Sequence, residues 1–219
     1  MAEKINPLDM KMQEYIAGIV EKINPDQPVV LSIEDHVDTY KSFFSEIMEN
    51  LDKKGWEIPK SNKLFIVKNQ EQEDTVRGFN GTPIRVNSPA YIVELIRQLK
   101  ANGILTTILL DMNFRDLFDK TAMKEQNEDY VRFSTIPFLD RLVKIYPEIQ
   151  IVGISLSEDR AEEMFEDYMF NNPGVKISFH SKDDAPERIS SSVEKKFMHL
   201  INQARSTGRT FNTPHDQEI

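Results

Sequence analysis

Five apolar segments, each followed by an amphipathic helical pattern, constrain the fold of this chain more than any other feature. The segments lie near residues 28–33, 64–67, 104–111, 149–155 and 175–179. No polar residue interrupts Ile108 to Leu110, which is typical of a strand buried on both faces. Strands that alternate with helices pair in parallel through right-handed crossovers. We therefore predict an α/β fold, a doubly wound five-stranded parallel sheet in a three-layer sandwich.

The helical and polar stretches outside this pattern suggest three parts. Residues 1–26 read as an N-terminal amphipathic helix, which must dock on the main body or on another subunit. Residues 27–206 form the predicted domain, with polar insertions near 68–88 and 112–135. Residues 207–219 are polar without periodicity, so we expect a flexible tail.

Composition narrows the functional classes. The net charge of -9 argues against nucleic acid and against an anionic membrane surface as the main partner. The chain has no cysteine, and its four histidines lie far apart, so a zinc site or thiolate chemistry is not expected. No apolar run is long enough to span a bilayer, and no signal-peptide core precedes the first helix. The cytoplasm is the expected location.

Polar and charged residues follow the predicted strands at the point where each one ends. The carboxyl ends of parallel strands share one edge of a sheet, which is where open α/β sheets bind ligands. The residues concerned are Glu34, Asp35, Asp111, Ser155 and Lys182. Each also has a structural interpretation: the acids can cap helices or turns, Ser155 can bond to backbone, and Lys182 can be a solvated surface residue.

Together these groups suit phosphoryl chemistry. Converging carboxylates repel each other unless a cation lies between them, and Mg²⁺ prefers such oxygen ligands. A carboxylate beside Mg²⁺ can attack phosphorus and form an aspartyl phosphate. A lysine and a hydroxyl can then stabilise the transferred phosphoryl group, roles open to Lys182 and Ser155.

The same motifs resemble those of response-regulator receiver domains, which have a flavodoxin-like fold. The resemblance covers about Pro28 to Arg205. The matching motifs are Ile33-Glu34-Asp35-His36, Leu109-Leu110-Asp111-Met112, Ile154-Ser155, Lys182 and, three residues before that lysine, Phe179. The resemblance covers five features in the expected order, although no single motif is specific.

The resemblance implies a two-component signalling protein in a phosphorelay rather than a turnover enzyme. Asp111 would accept a phosphoryl group from a histidine kinase, a phosphotransfer protein or a small phosphodonor. Glu34, Asp35, Asp111 and the backbone carbonyl of Asn113 would hold Mg²⁺. Phe179 would be a switch aromatic that follows Ser155 inward, and output would go to a downstream protein target, with a homodimer as one option.

Departures from the receiver pattern leave alternatives open. Asp183 stands where receivers usually have proline after the lysine, and Asn113 opens an insertion in place of their Met-Pro pair. One alternative is a degenerate receiver-like module that acts as a non-catalytic protein-binding scaffold. Another is a phosphohydrolase of the haloacid-dehalogenase type. That class needs a second acid at the position of Asn113 and a separate late acidic pair, whereas Asp183-Asp184 directly follows Lys182.

Overall fold

The structure is a computed structural model that describes most of the chain. The described residues are 7–34, 37–67, 76–77, 83–84, 89–112, 135–155, 158–211 and 213–217. The six described α-helices are α1 Pro7–Val20, α2 Val37–Lys53, α3 Pro89–Ala101, α4 Thr135–Ile145, α5 Glu158–Asn171 and α6 Pro186–Ser206. The described strands are β1 Val29–Glu34, β2 Lys63–Val67, β3 Val76–Arg77, β4 Pro83–Ile84, β5 Thr106–Asp111, β6 Gln150–Ser155 and β7 Lys176–Ser181.

Five of the strands form one parallel sheet in the order β2-β1-β5-β6-β7. Counting only the strands of this sheet, the order is 2-1-3-4-5, which is that of flavodoxin-like folds. The predicted doubly wound five-stranded sheet is therefore confirmed. At the centre, Ile33 is paired in register with Leu110, and Asp111 with Ile154.

Helices cover both faces of the sheet, which gives three layers and two apolar cores. One core includes residues of α1, α3, α4 and α5, and the other includes residues of α2 and α6. Successive residues of the central strands alternate between them: Ile108 and Leu110 belong to the first core, and Leu109 to the second. This two-sided burial explains why the strands are apolar runs without polar alternation.

The N-terminal helix α1 packs on its own domain. Its residues Ile16 and Val20, with Ile23 just beyond it, are buried in the first core, and the helix lies against α3. Of the two docking options left open by the sequence, the structure has the intramolecular one. The apolar residues of this segment therefore share a core with the domain that was predicted to begin at residue 27.

The C-terminal segment, residues 207–211 and 213–217, differs from the expected flexible tail. Phe211 is buried in the second core. Arg209 donates hydrogen bonds to the carbonyl oxygens of Gly103 and Pro25. Gly55, at φ 86°, has no side chain to obstruct Pro214, whose Cβ would lie 3.0 Å from a Cβ at that position. The prediction of a tail was wrong for these residues because contacts with groups distant in sequence order them.

The two predicted insertions are described only in part. Within the first, β3 and β4 pair antiparallel, with Val76 opposite Ile84. The second insertion, near residues 112–135, lies outside the described residues apart from its ends at Met112 and Thr135. Among the helices that the structure describes, none combines the length and apolar character needed to cross a bilayer.

Candidate functional site

Three central strands end in polar side chains that are almost completely buried. Glu34 is the last residue of β1, Asp111 of β5 and Ser155 of β6. Their relative exposures are 1%, 2% and 2%. Because these strands are parallel and adjacent, the three residues meet at one edge of the sheet. The sequence placed all three at this edge, and the structure brings them there.

Lys182 completes this group from a more distant strand. It directly follows β7, and its backbone N–H donates to the carbonyl oxygen of Ser155 at 2.7 Å. Its Nζ lies 2.7 Å from Asp111 Oδ2 and 3.1 Å from Glu34 Oε1. Since β6 lies between β7 and β5, the side chain crosses the end of β6 to reach both carboxylates.

The electrostatics of Lys182 favour its charged form. Burial by itself would lower the pKa of this ammonium, since it penalises the charged state. The negative charges of Asp111 and Glu34, and the hydrogen bonds to both, outweigh burial and raise the pKa above its ordinary value. At neutral pH Lys182 is therefore a cation, placed within hydrogen-bond distance of the Asp111 and Glu34 side chains.

The carboxylate oxygens of this site are of the type that Mg²⁺ prefers as ligands. Glu34 and Asp111 supply hard oxygen ligands at neighbouring strand ends, and Mg²⁺ needs only one or two protein carboxylates. The described part of the chain contains no group of three or more histidine, aspartate or glutamate side chains able to hold a metal ion. Two of the predicted ligands, Asp35 and Asn113, lie outside the described residues.

Phe179 lies on β7 and faces the first core. Its ring is half-buried and stands 5.9 Å from the ring of Phe165 on α5. A Cβ on Gly153 would come within 3.3 Å of the Phe179 ring and within 2.8 Å of Met112 Sδ. The absence of a side chain at Gly153 thus allows these two side chains to approach over β6. The switch role of Phe179 stays a prediction.

The turn from β7 into α6 contains a residue pair that the sequence did not reveal. The spacing of Asp184 and Glu187 resembles that of a capping box, but α6 begins after Ala185 without a side-chain cap. Asp184 instead bonds through Oδ2 to His180 Nδ1 at 3.1 Å and through Oδ1 to Arg188 at 2.8 Å. Asp184 does not cap the helix, because these two partners take up its carboxylate. The peptide bonds of this turn are trans, as in the rest of the described chain.

The comparisons with known proteins give one similar structure. No protein-family model matches the chain, and neither does any curated protein. A crystal structure of a response regulator receiver protein from Sinorhizobium medicae WSM419 is similar to it, with 12% identity and a TM-score of 0.42. The match covers 80% of this chain and 97% of that one.

Proposed function

We propose that this chain is a signalling receiver of the two-component type that accepts a phosphoryl group on Asp111. One observation carries the proposal: Lys182 Nζ contacts Asp111 Oδ2 at 2.7 Å and Glu34 Oε1 at 3.1 Å at the edge of the sheet. A positioned carboxylate can act as the nucleophile toward phosphorus, a compact cation can stabilise the phosphoryl oxygens, and a second acid can help to hold Mg²⁺.

In the proposed reaction, a carboxylate oxygen of Asp111 attacks the phosphorus of a phosphohistidine or a small acyl phosphate. A P–O bond forms to Asp111 while the bond from phosphorus to the donor breaks, and the donor leaves with its electron pair. The Lys182 ammonium stabilises negative charge on the phosphoryl oxygens, and the Ser155 hydroxyl donates to one of them. Mg²⁺ would supply further positive charge, held by Glu34, Asp111, Asp35 and the backbone carbonyl of Asn113.

The proposed partners are proteins at both steps. A histidine kinase or a phosphotransfer protein supplies the phosphoryl group, and a downstream target, or a second copy of the chain, responds to the modified domain. The phosphoryl group can act as a switch only if it favours one of two conformations of the domain. The proposed role is that of an acceptor with slow self-dephosphorylation, not of a turnover enzyme. The net charge of -9 argues against direct contact with nucleic acid.

The phosphohydrolase alternative is less well supported by the geometry. A phosphohydrolase of this type would need a further acidic residue, later in the chain, that reaches the site of the reacting aspartate. Asp184 is the candidate that follows Lys182, but its two carboxylate oxygens are bonded to His180 and Arg188. Asp183, its neighbour, is exposed. The scaffold alternative differs from the proposal only in lacking chemistry, so the experiment below decides between them.

The test is Mg²⁺-dependent binding of beryllium fluoride, which imitates an acyl phosphate, followed by backbone NMR. NMR is preferable to fluorescence because Trp56 lies between α2 and β2, at the amino ends of the strands, where its ring packs on Phe197. We expect saturable shifts around Asp111 that require Mg²⁺. They should vanish in Asp111→Asn and persist in Asp140→Asn, which changes an exposed aspartate on α4. Absence of binding to the folded protein would favour the scaffold.

A further inference from the structure

The turn between β7 and α6 is closed by a buried histidine. His180 is the residue before the last one of β7, and only 5% of it is exposed. Its Nδ1 lies 3.1 Å from Asp184 Oδ2, and its Nε2 lies 2.8 Å from Ser192 Oγ on α6. A carboxylate only accepts, so Nδ1 carries a proton and donates to Asp184. In the neutral ring, Nε2 then accepts from the Ser192 hydroxyl.

The order serine, histidine, aspartate is that of a hydrolytic triad, but the surroundings do not suit one. Acyl transfer needs free N–H donors beside the nucleophile to stabilise the oxyanion. Ser192 lies in the second turn of α6, where backbone N–H groups are engaged in helical hydrogen bonds. The arrangement therefore indicates a structural or positioning role for His180.

Lys182 lies in the turn that the hydrogen bond between His180 and Asp184 closes. The backbone N–H of Lys182 is held by the Ser155 carbonyl, and that of Asp184 by the Ser181 carbonyl at 3.1 Å. The His180–Asp184 pair closes the same turn through side chains. Burial by itself would raise the pKa of the Asp184 carboxyl, but the hydrogen bond from His180 and the interactions with Arg188 together outweigh it and lower this pKa, so the carboxylate stays ionised at neutral pH.

We propose that His180 and Asp184 are positioning residues, which hold the β7–α6 turn so that the Lys182 ammonium meets Asp111 and Glu34. Lysine has a long side chain with many rotamers, and its reach across β6 depends on where its Cα is fixed. A displacement of about 1 Å in a reacting group can cost 100-fold in rate. The inference deepens the proposed function and rests on it for its consequence, but the positioning itself can be measured without any phosphoryl chemistry.

Two substitutions of His180 separate its two hydrogen bonds. The amide nitrogen of asparagine can replace Nδ1, so His180→Asn keeps the donor to Asp184. The longer glutamine places its amide near Nε2, so His180→Gln keeps contact with Ser192 and loses the donor to Asp184. Both variants remove the ring from the same buried position, which makes each the control for the other.

The primary readout is the ammonium resonance of Lys182 in protein labelled with ¹⁵N-lysine, assigned by its loss in Lys182→Met. We expect His180→Asn to retain the wild-type resonance and His180→Gln to move it toward that of an exposed lysine. The second readout is Mg²⁺-dependent affinity for beryllium fluoride. This affinity should fall about 10- to 100-fold in His180→Gln, which is the loss typical when a residue that orients a metal ligand is replaced. Asp184→Ala should have the same effects as His180→Gln, because it also removes the bond between these two side chains. If His180→Gln does not fold, Asp184→Ala serves as the test instead.

The outcomes distinguish the two proposals. A folded His180→Gln or Asp184→Ala protein with an unchanged Lys182 resonance would overturn the positioning role. A Lys182 resonance that moves as expected, in a protein whose wild type binds no beryllium fluoride, would support the positioning role and overturn the proposed function instead. Equal losses in His180→Asn and His180→Gln would show that ring packing, not the bond to Asp184, holds the turn.

Discussion

Lys182 Nζ lies 2.7 Å from Asp111 Oδ2, although the strand β6 separates the two strands from which these residues come. The contact joins positions 71 residues apart in the chain. It forms only if β5, β6 and β7 end at the same edge of the sheet and the turn after β7 directs the lysine inward. The contact therefore depends on the joint arrangement of β5, β6, β7 and the turn that follows β7.

Replacement of Lys182 tests how far the site depends on this cation. Lys182→Met should destabilise the protein by about 3 kcal/mol, because loss of one partner leaves two buried carboxylates without their ammonium. Urea denaturation at neutral pH measures the change. Lys144→Met, at an exposed position of α4, is the control and should change stability by less than about 0.5 kcal/mol. Equal stability of the two variants would contradict the ion-pair geometry.

The C-terminal segment should contribute to stability through Phe211. This side chain is 5% exposed in the second core, so Phe211→Ala should destabilise the protein by about 3 kcal/mol. Phe170 offers a matched control because it is 86% exposed, and Phe170→Ala should stay within about 0.5 kcal/mol of wild type. Thermal or urea unfolding measures both. If the two alanine variants unfold alike, the C-terminal segment is not part of the core.

Lys196 should make stability depend on pH in the alkaline range. Burial, together with the charge of Lys176, lowers its pKa to about 8 from the ordinary 10.5. Between these two values the unfolded chain binds more protons than the folded one, so this lysine makes stability rise with pH there. Below about pH 8 the ammonium is charged in both states, and its burial is a full cost to folding.

Lys196→Met should therefore stabilise the protein near neutral pH, by about 1–2 kcal/mol. This is less than the pKa difference implies, because the hydrogen bond to the Lys176 carbonyl is lost as well. The advantage should shrink as pH rises through the window from about 8 to 10.5. Urea denaturation across that range measures it, with the exposed neighbour in Lys195→Met as the control. If Lys196→Met were more stable than wild type by the same amount at every pH, the lowered pKa of Lys196 would not be the cause of the difference.

The sequence predicted those features of the fold and site that depend on local pattern. The apolar runs that end in Glu34, Asp111 and Ser155 are local, and their burial on both faces follows from the absence of polar alternation. Parallel pairing then brings the strand ends together. The order of the motifs implied that the Lys182 side chain points toward the site. Only the structure shows its contacts with Asp111 and Glu34.

What the sequence did not predict depends on partners far away in the chain. The C-terminal segment lacks periodicity, yet Arg209 binds the carbonyls of Gly103 and Pro25, and Phe211 enters a core built by other elements. Asp184 fits a local capping pattern, but His180 offers it a better-placed donor across the turn. In both cases a long-range or competing contact outweighs the local signal, and a single sequence gives no measure of that competition.

The most direct test of the account is the intact mass of the protein after incubation with acetyl phosphate and Mg²⁺. We predict a single phosphoryl adduct that hydroxylamine removes, as expected for an acyl phosphate, and that depends on Mg²⁺. It should be absent from Asp111→Asn and present in Asp140→Asn. A folded protein that forms no adduct, or an adduct that persists in Asp111→Asn, would contradict the assignment of Asp111 as the phosphoryl acceptor.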